Sequence, residues 1–379
     1  MRQTDRLAIL QHNLVSGGCE RMMINLATEW SKRGIAVDLV LVTREGVYLP
    51  LVPPEVRIVD LGAKRTLTAV APLVRYLWRE RPRAILSGLV HINTIALLAK
   101  AVAPGTRLVI SERNTPSVDR KDRQPAARLG YRLAPYLYRR ADAIIAVSAG
   151  VADDLSASTG LPRQRINVIN NPVVTDQTLD LARREFRHCW FEPGAPPVIV
   201  AAGRLAAAKD YPTLLRAFAK LRSTRSCRLM ILGEGDLLND LTRLARELGI
   251  NRDVEFAGFV INPYAVMSRS ALLVLSSRWE GSPNVLVEAM ACGLPVVSTD
   301  CPSGPREILA GGKYGPLVPV GDVDALAAAM ASTLEKPASR FLLEEGSRPY
   351  RSENSASRYL DAMLVGSALL APARMQRQT

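Results

Sequence analysis

The sequence predicts an α/β protein built from two doubly wound domains. Short apolar runs alternate with helical periodicity from residue 1 to about 172, the alternation restarts at 198, and a proline-rich stretch between them breaks it. At 379 residues the chain also exceeds one ordinary domain and suits two of about 150–200 residues, each able to bury its own core.

In the first half, the runs 7–10, 37–42, 84–86, 108–110 and 143–147 read as buried strands of a parallel sheet. Between the first two, Met22, Met23, Leu26 and Trp30 recur at helical spacing and mark the core face of a helix. Pro172, Pro193, Pro196 and Pro197 interrupt the periodicity and place an interdomain connection at 173–197, after a first domain of 1–172. The second domain, 198–352, takes its strands from 198–201, 229–232, 254–256, 272–275 and 295–298, with helices from Pro212, Asp236, Asn262, Val285 and Asp322. A polar stretch, 345–357, leads to Tyr359, Met363, Leu364 and Leu369, whose spacing predicts a closing helix within 353–379 that packs back on the first domain.

Composition narrows the function classes. Hydrophobic residues make up 48% and charged ones 22%, as in a globular protein, and no apolar run approaches the ~18–20 residues of a membrane-spanning helix. Near the N-terminus the apolar run is only Leu7 to Leu10, a strand rather than a signal-peptide core, so residence in the cytoplasm is expected. The five cysteines, Cys19, Cys189, Cys227, Cys292 and Cys301, are scattered, and with three histidines they offer no metal-site spacing. A net charge of +13 favours anionic partners. The excess sits in the first half, at Arg75, Arg79, Arg81 and Arg83 and at Arg113, Arg120, Lys121, Arg123, Arg128, Arg132, Arg139 and Arg140, against Glu112, Asp119 and Asp122. An anionic membrane surface fits this pattern; nucleic acid does not, because aromatics are 5% and no interleaved stacking pattern exists.

Glu280 and Glu288 flank a Gly281-Ser282-Pro283-Asn284 turn that runs from a strand directly into a helix. Backbone amides of Asn284, Val285 and Leu286 are then expected open at the helix start, where a phosphate is the natural guest. The two carboxylates can accept hydrogen bonds from hydroxyls of a sugar or ribose beside it. Gly203-Arg204, with Lys209 beyond, adds two cations on another strand-end loop, and Gly233-Glu234-Gly235 adds a backbone loop able to approach a ligand closely. Gly17-Gly18 opens the first helix but lacks the spacing of a dinucleotide fingerprint. All these loops fall at carboxyl ends of strands, where open α/β sheets bind ligands.

These motifs resemble the family 4 (group 1) retaining glycosyltransferases, which have two Rossmann-like domains facing across a cleft, the GT-B arrangement. The match runs through Gly203-Arg204-Leu205, Lys209-Asp210-Tyr211, Leu232-Gly233-Glu234-Gly235, Val254-Glu255-Phe256-Ala257-Gly258-Phe259 and 276–309, with weaker agreement at Gly17-Gly18-Cys19-Glu20-Arg21. The resemblance implies that Arg204, Lys209, the amides of Asn284, Val285 and Leu286, and Gly17-Gly18 from the opposite domain hold the donor diphosphate. It implies that Glu288 binds the ribose, that Gly233 and Glu234 form a donor loop, and that Glu280 holds a hydroxyl of the transferred sugar. Many relatives carry a histidine where this chain has Ser111-Glu112-Arg113-Asn114, so either Glu112 and Asn114 contact the sugar or His91 reaches in, with Glu112 preferred. No metal or other cofactor is expected, a uridine-diphosphate sugar being the substrate. The acceptor is expected to be a glycan, carried on a membrane polyprenyl diphosphate at the inner face of the cell membrane. A nucleotide-sugar epimerase of the same fold and a donor-binding subunit without turnover are the rival readings.

Overall fold

A computed structural model describes residues 4–15, 17–118 and 125–364. Asp119, Arg120, Lys121, Asp122 and Arg123 of the basic cluster, and Leu369 of the closing segment, lie outside the described residues.

Two parallel sheets organise the molecule. The first contains β1 (Thr4–Gln11), β2 (Val37–Leu41), β3 (Arg57–Asp60), β4 (Pro82–Gly88), β5 (Arg107–Glu112), β6 (Ala143–Ala146) and β7 (Ile166–Val168), in the order β3-β2-β1-β4-β5-β6-β7. The second contains β8 (Val198–Ala202), β9 (Arg228–Leu232), β10 (Val254–Gly258), β11 (Leu272–Leu275), β12 (Val296–Thr299) and β13 (Leu317–Val318), in the order β10-β9-β8-β11-β12-β13. Each sheet reverses direction of growth once, between β1 and β4 and between β8 and β11. Chain leaving the carboxyl ends of those central strands therefore diverges and opens a crevice.

Helices cover both faces, so strands are buried on both sides: β2 is buried at every position, including Asp38, whose carboxylate meets Arg6, Arg57 and the Tyr76 hydroxyl. Apolar clusters fill the two faces of each sheet. The helix Gly18–Lys32 buries Met22, Met23, Leu26 and Trp30, as its spacing predicts. The closing helix Ser352–Leu364 lays Ala356, Tyr359 and Met363 into the same cluster, and the Trp30 indole donates to the Ala356 carbonyl at 3.0 Å. The expected return to the first domain is thus made. The two passages between lobes run side by side, since the amides of Val173 and Val174 both donate to the Tyr350 carbonyl at 3.0 Å.

The stretch 173–197 holds a helix, Asp176–Arg183, started by a reciprocal cap between Thr175 and Thr178. It belongs physically to the second lobe, where Asn262 Nδ2 donates to the Leu181 carbonyl at 3.0 Å and Ser268 Oγ to the Ala182 carbonyl at 2.7 Å.

Candidate active site

The loop after β8 and the loop after β11 are stitched together by backbone. The Arg278 amide donates to the Ala208 carbonyl at 2.8 Å, Ser276 Oγ to the Lys209 carbonyl at 2.8 Å, and the Arg278 guanidinium meets Asp210 at 3.2 Å. This fixes Lys209 against Glu280, with Nζ to Oε1 at 2.6 Å and both side chains mostly buried. Ser277 Oγ donates to the same oxygen at 2.6 Å. A cation and a carboxylate predicted from separate motifs therefore share one spot. Arg204 stands exposed on the β8 loop, and no described side chain neutralises it. The β9 loop packs beneath: Gly233, at φ +145°, lies where a Cβ would sit 2.1 Å from the Gly203 carbonyl oxygen. Glu234 accepts the Leu205 amide on its carbonyl at 2.8 Å, while its carboxylate receives the Phe259 amide at 3.4 Å.

The helix Asn284–Ala291 begins directly beyond Glu280 with Pro283 at its N-cap and no side-chain cap. The amides of Asn284 and Val285 meet no acceptor among the described residues. The Leu286 amide does, donating to the Pro283 carbonyl at 3.1 Å. This corrects the expectation of three open amides: a tight first turn, of the kind common at helix starts, closes on the third. The first lobe faces this end. Asn284 Nδ2 donates to the Gly18 carbonyl at 3.3 Å, Asn171 Nδ2 donates to Asn284 Oδ1 at 2.7 Å, and a Cβ on Gly18 would meet Asn284 Nδ2 at 3.1 Å. Gly17, at φ +150°, makes the strand-to-helix turn that brings Gly18 there.

Glu288 lies one turn into the helix. Tyr264, on the short helix Pro263–Met267, donates its hydroxyl to Glu288 Oε1 at 3.2 Å. Arg21, from the first lobe, donates Nη1 to that hydroxyl at 2.7 Å and Nη2 to the Ile261 carbonyl at 3.0 Å. Its guanidinium lies over the Tyr48 and Tyr264 rings, 5.0 and 5.2 Å from their centroids. Burial pushes the Glu288 carboxyl above its ordinary range, and Arg21 and the Tyr264 hydroxyl pull against that shift. Sequence reasoning included Arg21 only within a weak motif and gave it no role. Its partners lie some 240 positions away, beyond any local pattern.

On the first-lobe side, Glu112 is 1% exposed at the end of β5 and accepts the Tyr138 hydroxyl at 2.9 Å. The carboxylate preferred for sugar contact is therefore turned inward in this conformation, into a network in which Asn93 Nδ2 donates to Tyr138 Oη at 3.2 Å and Ser87 Oγ to Asn93 Oδ1 at 2.7 Å. Asn114 and His91 remain partly exposed, and His91 packs edge-on against His12 with ring centroids 5.9 Å apart. Burial lowers the His12 pKa.

The lobes touch around the Glu280 turn. Thr115 Oγ1 donates to the Glu280 carbonyl at 2.7 Å and Ser148 Oγ to the Gly281 carbonyl at 2.7 Å. Glu307 accepts the Ala149 and Gly150 amides at 2.8 and 2.9 Å, so a second-lobe carboxylate sits at the start of the first-lobe helix Ala149–Thr159. What results is a closed crevice with a cation–carboxylate pair, open helix amides and a second carboxylate, a set suited to a phosphate joined to polyhydroxylated groups.

The chain is 32% identical over 243 residues to N-acetylgalactosamine-N,N'-diacetylbacillosaminyl-diphospho-undecaprenol 4-alpha-N-acetylgalactosaminyltransferase of Campylobacter jejuni, covering 64% of this chain and 64% of that protein. It is 32% identical over 190 residues to a lipopolysaccharide 1,6-galactosyltransferase of Salmonella typhimurium, covering 48% of this chain and 50% of the other. The chain thus spans between half and two thirds of the length of these curated relatives. A crystal structure of Anabaena HepE in complex with UDP and glucose superposes with a TM-score of 0.76 at 18% identity, over 95% of this chain and 99% of that one, a likeness of fold. Residues 16–177 match the family described as Glycosyltransferase Family 4, and residues 182–348 match the family described as Glycosyl transferases group 1. With both lobes matched and the GT-B architecture in place, the chain belongs to the group 1, family 4 glycosyltransferases.

Proposed function

We propose that the protein transfers a hexose or N-acetylhexosamine from a uridine-diphosphate sugar to a polyprenyl-diphosphate-linked glycan, with retention and without a metal, in surface polysaccharide or glycoconjugate assembly. The observation that carries the reading is the Lys209–Glu280 pair, held at 2.6 Å in the approach to the open amides of Asn284 and Val285.

Chemically, the bond between the sugar's anomeric carbon and the diphosphate oxygen breaks while the acceptor oxygen bonds the same face of that carbon. The acceptor's proton passes to the departing phosphate, so no protein base is required. Negative charge grows on the leaving oxygens as the sugar becomes oxocarbenium-like, and Lys209, Arg204 and the two amides are preorganised for that charge. Glu280 orients a sugar hydroxyl and Glu288 the ribose, while Gly17 and Gly18 close over the diphosphate. Gly233 and Glu234 shape the floor. Asn114 and His91 supply sugar contacts from the first lobe, with Glu112 holding the strand end beneath them. Among the curated relatives, the Campylobacter jejuni protein's name specifies a diphospho-undecaprenol substrate, which favours a lipid-linked acceptor.

The test is incubation of the protein with a panel of nucleotide sugars, with and without a polyprenyl-diphosphate glycan, read by chromatography that separates sugar epimers coupled to mass spectrometry. Transfer, or slow donor hydrolysis, from a uridine-diphosphate sugar is expected, and Lys209→Ala should lower it by about 10²-fold or more. Absence of turnover with every donor and acceptor, or donor isomerisation at unchanged mass without acceptor, would overturn the reading.

A further inference from the structure

We infer that Arg21 is a positioning residue for the ribose carboxylate: it reaches Glu288 from the opposite lobe through the Tyr264 hydroxyl, so that lobe closure and capture of the ribose hydroxyls form one event. The inference rests on the donor reading above.

The geometry is a relay. Arg21 Nη1 donates to Tyr264 Oη at 2.7 Å, and Tyr264 Oη donates to Glu288 Oε1 at 3.2 Å. One carboxylate oxygen is thereby occupied, while Oε2 accepts no hydrogen bond from any described residue. A ribose offers two adjacent hydroxyls, and an ionised carboxylate can accept from both. Burial works against ionisation at this position. The titratable groups around Glu288 are Arg21 and Tyr48 of the first lobe, Tyr264 beside it, and Cys292 at the end of its own helix, while Arg340 packs on Gly293 nearby. Of these, Arg21 is the cation acting on the Glu288 carboxyl. Burial and the Glu288 charge push the Tyr264 hydroxyl up, so it stays protonated and donates.

Arg21 belongs to the helix Gly18–Lys32, which opens with Gly18 against Asn284. Separating the lobes withdraws the guanidinium from Glu288 and the Gly18 carbonyl from the Asn284 side chain together. A buried carboxylate without its counter-charge favours the protonated form, which accepts hydroxyls poorly. By linkage, whatever ribose gains from closure, closure gains from ribose.

A lobe latch alone would show the same contacts but a different binding signature. The experiment is calorimetric titration of the full chain with uridine diphosphate and with 2′,3′-dideoxyuridine diphosphate, for the unmodified protein, Arg21→Met and Tyr264→Phe. The unmodified protein should prefer the ribose form by about tenfold or more. Both variants should shrink that preference to about threefold or less, chiefly by weakening the ribose form. In Arg21→Met the affinity for uridine diphosphate should also fall away, on acidification, at a higher pH than in the unmodified protein, because only the ionised carboxylate captures the ribose well. Equal weakening of both nucleotides, with the preference intact, would reduce Arg21 to a latch and overturn the relay. Failure of the unmodified protein to bind either nucleotide would overturn the donor reading and the relay with it. Tyr264→Phe keeps the ring and removes only the hydroxyl, so the test stands even if Arg21→Met does not fold.

Discussion

Gly281 shows how a residue without a side chain sets the distance between lobes. A Cβ built there would lie 1.8 Å from the Arg113 carbonyl oxygen, and its own carbonyl accepts Ser148 Oγ at 2.7 Å. Gly281→Ala should therefore keep the lobes from closing while leaving each core intact. The expected result is a loss of turnover of about 10²-fold, the scale associated with displacing reacting groups by roughly 1 Å, with a melting temperature near that of the unmodified protein. Turnover unchanged in that variant would mean that closure at this contact is not needed. The neighbouring Lys209–Glu280 pair was legible from the sequence because each member sits in a compact strand-end motif. The family resemblance puts Glu112, ahead of His91, at the sugar, but it does not reveal side-chain direction, and the Tyr138 hydroxyl that holds Glu112 inward comes from a different element. Arg21 was harder still, since its meaning lies in a tyrosine of the other lobe.

Among elements, the helix Pro125–Leu137 carries an exposed apolar stripe. Leu129, Leu133 and Tyr136 recur at helical spacing on its open side, with Arg132, Arg139 and Arg140 exposed alongside. Trp78 is exposed on the helix Val70–Glu80, which also presents Arg75 and Arg79. Apolar side chains interleaved with arginines suit the headgroup boundary of an anionic membrane, each cation near the surface contributing about 1 kcal/mol. Co-sedimentation with vesicles rich in phosphatidylglycerol should exceed that with neutral vesicles and weaken as salt rises. Replacing Leu129, Leu133 and Tyr136 together by serine should lower the salt-resistant fraction; binding indifferent to both lipid charge and this stripe would remove the proposal of membrane contact. The element order itself was largely legible, because buried strands of a parallel sheet read as unbroken apolar runs. The strands that escaped reading are short or lie at edges: β3 has exposed ends at Arg57 and Asp60, β7 spans Ile166–Val168, and β13 is two residues long. Such segments lack the apolar density that betrays a central strand.

At the scale of the whole molecule, the two lobes meet through side chains that sequence reading could assign to neither cleft nor core. Glu307 caps a helix of the opposite lobe, Asn171 holds Asn284, and Arg21 spans the gap to Tyr264. Among the described residues no helix is long and apolar enough to cross a membrane. The proposed function requires one diphosphate site between the lobes, at Lys209 and the start of the helix Asn284–Ala291. Crystals grown with uridine diphosphate test it most directly. The diphosphate is expected within hydrogen-bonding distance of Lys209 Nζ and the Asn284 and Val285 amides, with the ribose hydroxyls on Glu288. A nucleotide seated away from Lys209 and Glu288, or bound with Lys209 still engaged by Glu280 alone, would contradict it.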